Sequence, residues 1–283
     1  MAADVSWRSA RRQWASALRD AGIESAERDV DLLASHVLDV SLGGLTLLET
    51  LPQDKAYALE VLVARRAERE PLQHLTGSAP FRLVDLAVGP GVFVPRPETE
   101  LLAGWAIEQA SALTSPVVVD LCTGSGAVAK AVAHEVTSAR VHAVELDEQA
   151  HAWAMRNLSG TGVDLRHGDM ADAFEDLAGT VDVVVCNPPY IPLEAWESVQ
   201  TEARDHDPHL ALFSGTDGLD AIRVVEHRAA QLLRPGGVVG CEHADAQGES
   251  APGVFAGAGR WREVLDHRDL AGRPRFLTAR LAR

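Results

Sequence analysis

Cysteine is scarce in this chain: Cys122, Cys186 and Cys241 are the only three in 283 residues, and they form no Cys-x-x-Cys pair. A disulfide framework and the common thiolate zinc and redox motifs are thereby excluded, and all three are expected as reduced thiols. No apolar run approaches the ~20 residues that span a bilayer, and Met1 to Ser9 lacks the basic-then-apolar order of a secretory leader. A cytoplasmic protein without membrane contact is the expectation. Positive charge is also in short supply, with 26 Lys plus Arg against 41 Asp plus Glu and a net charge of -15. Such a chain repels polyphosphate, which argues against broad, salt-dependent nucleic-acid binding. The stretch Asp205-His206-Asp207-Pro208-His209 matches no established ligand spacing, so no metal site is expected. Internal repeats and low-complexity segments are absent.

What the chain does have is 46% apolar residues over a length that exceeds one typical domain, which predicts two unequal domains. Apolar positions recur at helical spacing through the first seventy or so residues: Trp7, Ala10, Trp14 and Leu18, then Val30, Leu33 and Val37, then Leu59, Leu62 and Val63. Turn signals at Ala21-Gly22, Ser41 to Gly44 and Leu51-Pro52 separate these runs, and Ser25 stands where it would cap the second. The pattern predicts a small all-α domain over residues 1–77, with Trp7 and Trp14 in its core. From Phe81 to Val94 short apolar segments broken at Gly89-Pro90-Gly91 predict a β-hairpin, and residues 78–98 are read as the linker. Pro95 and Pro97 stiffen its exit into a helix running toward Ala112.

Beyond Ser115, strand and helix patterns alternate. Val117 to Leu121, Arg140 to Glu145, Val163 to His167, Val181 to Cys186 and Gly237 to Glu242 read as strands, with Trp261 to His267 and Arg275 to Leu281 as a closing antiparallel pair. Largely apolar strands such as Val181 to Cys186 suit a parallel sheet covered on both faces, so residues 99–283 are predicted to form a doubly wound α/β domain of seven strands. The small-residue segment Ala244 to Gly259 reads as a mobile surface loop.

In an open α/β sheet, ligands collect beyond the carboxyl ends of the strands near the switch point. Four such positions carry chemistry here. Asp120-Leu121-Cys122-Thr123-Gly124-Ser125-Gly126 leaves one strand and opens a helix, but no third glycine follows, which disfavours a nicotinamide dinucleotide. By itself this turn is equally a tight strand-to-helix connection with no ligand. Glu145 ends the next strand, where a carboxylate accepts from ribose hydroxyls. Asp169 and Met170 follow the third strand, the first an acceptor for an adenine amino group, the second a polarizable surface for its ring.

The fourth position, Asn187-Pro188-Pro189-Tyr190, is the most specific. Two prolines remove backbone donors and fix the local path, leaving the Asn187 side-chain oxygen and the Pro188 carbonyl as acceptors and Tyr190 as a stacking surface. A planar nitrogen bearing two hydrogens fits that environment: each hydrogen meets an acceptor while the π face turns to an electrophile. No charged general base stands in the motif, and in-line methyl transfer depends on proximity more than on proton transfer.

The glycine turn resembles the first motif of S-adenosylmethionine-binding methyltransferases, and the chain as a whole resembles the HemK/PrmC family of protein-(glutamine-N5) methyltransferases. Besides Asn187 to Tyr190, the resemblance rests on Pro71-Leu72-Gln73-His74-Leu75-Thr76-Gly77, Phe93-Val94-Pro95-Arg96-Pro97-Glu98-Thr99-Glu100, Thr123-Gly124-Ser125-Gly126, Asp207-Pro208-His209-Leu210-Ala211-Leu212, Asp217-Gly218-Leu219 and Asp269-Leu270-Ala271-Gly272-Arg273-Pro274-Arg275. It implies a Rossmann-like methyltransferase domain preceded by a helical substrate-recognition domain. The expected cofactor is S-adenosylmethionine, held by Cys122, Thr123, Gly124, Ser125, Gly126, Glu145, Asp169, Met170 and Asn187. Asn187, Pro188, Pro189 and Tyr190 are expected at the substrate, the glutamine of the Gly-Gly-Gln motif in peptide-chain release factors, with Asn187, Pro188 and Tyr190 the catalytic set. A monomer is expected. Cys122 stands where the family usually has glycine, Glu145 where aspartate is commoner, and Glu242-His243-Ala244 where the family has Glu-x-Gly. The alternative reading is a nucleic-acid amino-methyltransferase acting on an adenine or guanine amine, which the same acceptor pocket would suit but the net charge does not favour. A non-catalytic cofactor-fold binding protein is a further alternative, which the intact Asn187 to Tyr190 disfavours.

Overall fold

The computed structural model describes residues 4–198 and 201–282, and the chain divides into two compact units, Met1–Ser78 and Ala79–Arg283. In the first, helices α1 (Trp7–Asp20), α2 (Ala26–Leu38), α3 (Gln53–Ala67) and α4 (Leu72–Thr76) pack around Trp14, Leu18, Leu33 and Leu59, and a two-residue ladder pairs β1 (Val5–Ser6) with β2 (Thr50–Leu51). Trp7 and Trp14 are buried there, as their helical spacing predicts. Ser25 occupies the N-cap position of α2 but makes no cap bond; its hydroxyl donates instead to Asp29 Oδ1 at 2.8 Å. Asp29 is committed to a buried ion pair, receiving Arg66 Nε from α3 at 2.7 Å, a contact across 37 residues that no local pattern reveals.

The second unit opens with a hairpin of β3 (Ser78–Phe81) and β4 (Val84–Ala87). Its turn lies at Arg82-Leu83, not at Gly89-Pro90-Gly91 as the sequence suggests. Arg82 adopts φ 51° and is fixed by a bidentate pair to Glu135 at 2.7 Å, which offsets its unfavourable backbone. Gly89 serves close packing: a Cβ there would sit 2.7 Å from the Trp153 ring. The expected linker is thus part of the core, where Phe81, Leu86, Val88 and Val92 pack with the helices of the sheet.

The sheet holds β5 (Val117–Leu121), β6 (Arg140–Glu145), β7 (Asp164–His167), β8 (Val181–Cys186), β9 (Leu233–Glu242), β10 (Trp261–Arg268) and β11 (Pro274–Leu281) in the order β10-β11-β9-β8-β5-β6-β7. β11 runs antiparallel to both neighbours, and the other pairings are parallel. α5 (Thr99–Ser111), α6 (Ala127–Glu135) and α7 (Glu148–Leu158) cover one face, where Val118, Val183 and Val185 point. α9 (Asp220–Leu232) and α10 (Ser250–Gly257) cover the other, against Val119, Val184 and Cys186; a short α8 (Thr201–His206) lies between β8 and α9. Val118 and Val119 point to opposite faces, so both faces of the strand need cover and the run reads as continuously apolar. Residues 244–259 are not a surface loop: Ala251 and Phe255 of α10 are fully buried against the sheet, and small residues let this helix approach closely. No helix among the described residues is long and apolar enough to cross a membrane.

The chain steps from β5 outward to β6 and β7, then returns to β8 on the other side of β5. That reversal makes the carboxyl ends of β5 and β8 the switch point, where the backbone leaves a crevice for ligands.

Candidate active site

A cavity of about 430 Å³ opens at this switch point. Cys122, Thr123, Gly124, Ser125, Glu145, Asp169, Met170, Asn187, Pro189 and Tyr190 all line it, so residues spread over 69 positions of sequence converge on one space. Gly126 and Pro188 are not among the lining residues. Gly126 has φ 85° at the start of α6, and a Cβ there would press on Leu158 at 3.0 Å; its part is to let the turn enter the helix, not to touch a ligand. Pro188 is buried.

The turn after β5 is organised by two carboxylates. Asp120 Oδ2 accepts from the Thr123 hydroxyl at 2.6 Å and from the Ala129 N–H at 3.2 Å, fastening the turn to the strand and to α6. Burial pushes the Asp120 carboxyl up to about 7 against those hydrogen bonds. Glu145 Oε2 accepts from Gly124 N–H at 2.8 Å and Oε1 from Asp147 N–H at 2.9 Å, so the carboxylate ties the β5 and β6 loops together. Burial also raises Glu145, with those backbone donors opposing the rise. Cys122 has φ 83° and places its Sγ 3.4 Å from Met170 Sδ on the floor of the site. Asp169 Oδ1 accepts from the Ala171 N–H at 2.9 Å.

On the β8 side, Asn187 and Glu242 leave neighbouring strands together, because Cys186 pairs with Cys241 in the ladder. Asn187 Nδ2 donates to Thr99 Oγ1 at 3.2 Å, and the Tyr190 hydroxyl donates to Glu242 Oε1 at 3.3 Å. Glu242 is 1% exposed, and its burial pushes it up to about 7, with Thr99, Arg275 and Tyr190 holding the rise in check. Burial likewise raises Tyr190 far above the ordinary phenol range, so it stays a neutral donor. Arg96 lies over the Phe93 ring at 5.0 Å and pairs with buried Asp207 at 2.8 Å, and burial pushes Asp207 up to about 6. Six carboxyl groups (Glu98, Asp120, Glu145, Asp147, Asp169, Glu242) and three arginines (Arg96, Arg273, Arg275) line the cavity, an acidic balance that favours a cationic ligand.

Asp120, Thr99, Glu242 and Arg96 stand in segments that are legible in the sequence, but none of them has a site role of its own there. The rule that strand ends carry function would have found Glu242, the last residue of β9, and the segment Pro95 to Glu100 carries both Arg96 and Thr99. Among the described residues no group of three or more His, Cys, Asp or Glu is poised to hold a metal.

Sheet order, strand-end glycine turn and Asn-Pro-Pro-Tyr loop together define a Rossmann-like methyltransferase, a class whose methyl donor is S-adenosylmethionine. Residues 118–206 match a methyltransferase domain, and residues 9–77 match the PrmC N-terminal domain. A release factor glutamine methyltransferase of Streptomyces coelicolor is 57% identical over 267 residues, covering 94% of each chain. A 4-amino-L-phenylalanine/4-methylamino-L-phenylalanine methyltransferase of Streptomyces pristinaespiralis is 44% identical over 251 residues, 86% of this chain and 85% of that one. In fold alone, the hMettl16 catalytic domain in complex with MAT2A 3′UTR hairpin 6 is similar, with a TM-score of 0.54 at 14% identity over 81% of this chain and 82% of that one. The chain belongs to the release factor glutamine methyltransferase family.

Proposed function

We propose that this enzyme transfers a methyl group from S-adenosylmethionine to the side-chain amide nitrogen of the glutamine in the Gly-Gly-Gln motif of peptide-chain release factors. The observation that carries the reading is that Asn187, Pro189 and Tyr190 face the same cavity as the glycine turn and Glu145. The cavity falls in the range of roughly 300–1,000 Å³ that small-molecule sites occupy, and its acidic lining suits a sulfonium. Gly124, beside which a Cβ would meet nothing within 4 Å, leaves room at the turn for the amino-acid end of the cofactor. Glu145 would hold the ribose, Asp169 the adenine amino group and Met170 the ring. When bound, the cofactor supplies an electrophilic methyl group.

The protein's own part is positional. Because Asn187 Nδ2 is engaged by Thr99, its Oδ1 is left to accept one hydrogen of the substrate amide. Tyr190, held at its hydroxyl by Glu242, presents its ring to the planar group. An acceptor on the amide hydrogens counts most as positive charge develops on nitrogen in the transition state. A relative of this scaffold is named for methylation of an aromatic amine, 4-amino-L-phenylalanine. What favours the release-factor substrate here is the match of residues 9–77, which we assign to recognition of the protein substrate, and the higher identity of the release factor relative.

Intact-mass analysis of a purified release factor incubated with this protein and S-adenosylmethionine tests the proposal. A single added methyl that disappears when the Gly-Gly-Gln glutamine is replaced is the expected result. No added methyl, from protein shown to bind the cofactor, overturns it and turns the search to nucleic-acid and small aromatic amines.

A further inference from the structure

Cys122, Cys186 and Cys241 are far apart along the chain, yet the sheet gathers them at or just past the carboxyl ends of β5, β8 and β9. Cys186 pairs with Cys241 in the ladder between β8 and β9. On its other side Asp120 pairs with Val185, so Leu121 and Cys186 follow as neighbours, and Cys186 Sγ donates to the Leu121 carbonyl at 2.6 Å. That carbonyl belongs to the peptide that joins Leu121 to Cys122. Strands lie about 4.8 Å apart and rise about 3.3 Å per residue, which puts a residue one step past its neighbour roughly 6 Å away. This is within the range of about 4.4–6.8 Å between the Cα atoms of a disulfide.

The backbone at Cys122 turns its side chain toward Cys186. In a regular strand successive residues face opposite ways, and Cys122 would point away from the face that holds Leu121. Its φ of 83° breaks the alternation, and Cys122 packs with Met170 on the face that holds Leu121, Cys186 and Cys241. An L-residue is strained in that conformation, where glycine is not. Exposure then divides the three thiols. Cys186 and Cys241 are fully buried, whereas Cys122 is half-buried and lines the cavity, its Sγ 3.4 Å from Met170 Sδ. An oxidant that enters the cavity meets one sulfur, with a second behind it.

We propose that Cys122 and Cys186 form a peroxide-sensitive thiol pair that closes the methyl-donor site when it is oxidised. In the first step the Cys122 thiolate attacks hydrogen peroxide: an S–O bond forms, the O–O bond breaks and hydroxide leaves, so the sulfur is oxidised to a sulfenic acid and the peroxide is reduced. In the second the Cys186 sulfur displaces the sulfenic hydroxyl: an S–S bond forms, the S–O bond breaks, and the hydroxyl leaves as water with the Cys186 proton. Burial raises the Cys186 thiol well above its ordinary range, which keeps that proton in place and makes the second step the slower one. The new bond ties the start of the glycine turn to the residue before Asn187, across the switch point, and so distorts both walls of the cavity. A small thiol reverses it by exchange. The inference rests on the reading of this cavity as the site of S-adenosylmethionine; the sulfur chemistry itself does not.

Full-length protein treated with hydrogen peroxide, then analysed by intact mass and peptide mapping, tests the proposal. The expected product has lost two hydrogens, yields a cross-linked Cys122–Cys186 peptide, and regains the parental mass with dithiothreitol. By calorimetry its Kd for S-adenosylmethionine should rise at least about tenfold and return on reduction. Cys186→Ala should stop at one added oxygen on Cys122, a sulfenic acid that dimedone traps, and Cys122→Gly should form neither product. An oxidised parent that carries no disulfide, one whose bond joins Cys186 to Cys241, or one that holds the Cys122–Cys186 bond and still binds cofactor at the parental Kd overturns the proposal. Should Cys186→Ala fail to fold, the peptide map and the titration of the parent decide. A reduced parent that binds no S-adenosylmethionine is a separate result, and removes the cofactor reading instead.

Discussion

Cys122 places a side chain on a backbone that favours glycine. At φ 83° an L-residue carries a penalty of about 1–2 kcal/mol, and glycine there would avoid it at the cost of about 0.5–1 kcal/mol of extra chain entropy in the unfolded state. The cysteine side chain recovers some of the difference by packing on Met170, 3.4 Å away. Cys122→Gly should therefore stay within about 1 kcal/mol of the parent, whereas Cys122→Val, branched at Cβ, should lose about 2 kcal/mol or more. Urea unfolding curves with a common slope check this, and a valine variant as stable as the parent would remove backbone strain as the reason glycine suits the site. The departure from glycine was visible in the sequence, but its backbone angle was not. The same holds for the site at large. Asn187, Glu145 and the glycine turn could be read because their chemistry is local to a strand end, whereas Asp29–Arg66 and Thr99–Asn187 join residues 37 and 88 positions apart and exist only in the fold.

Strand β5 is buried along its whole length yet carries an acid, Asp120, which is 2% exposed. Its carboxyl moves from an ordinary unfolded value of roughly 4 up to about 7 when the strand is buried. Between those values the folded protein holds a proton that the unfolded chain has released, so the stability associated with this group is complete below the lower value and is lost as pH rises through the upper one. Asp120→Asn retains an oxygen where Oδ2 accepts from Thr123 and Ala129, and removes the charge. The variant should match the parent below about pH 4 and gain on it steadily up to about pH 7, read as a rise in melting temperature, with an upper bound of about 4 kcal/mol above pH 8. A gap between the two proteins that does not widen with pH would mean that Asp120 is not the proton-binding group. As elements, the seven strands were legible because a two-faced sheet leaves long apolar runs. The hairpin turn and α10 were not. Gly89 and the small residues of α10 answer to close packing against Trp153 and the sheet, and sequence alone does not separate that use of small residues from a loop.

At the level of the whole molecule, the two units have separate cores, one around Trp14, Leu18, Leu33 and Leu59, the other on the two faces of the sheet. Every residue that lines the cavity belongs to the second unit. Trp7 is 6% exposed and belongs to the core of the first unit, as its helical spacing predicts, so it is not free to contact a partner. Among the described residues, the large apolar side chains that remain exposed there are Val40, Leu47, Tyr57 and Val61. If residues 1–77 recognise the release factor, a chain beginning at Ala79 should bind S-adenosylmethionine with a Kd within about twofold of the full-length protein. Its KM for the release factor should rise at least about tenfold, because the lost contacts contribute to binding and not to the chemistry at Asn187. Calorimetry of cofactor binding and steady-state kinetics with the protein substrate separate the two effects. A truncated chain that loses cofactor binding would assign the first unit a structural part, and one that keeps the parental KM would place substrate recognition within the methyltransferase unit.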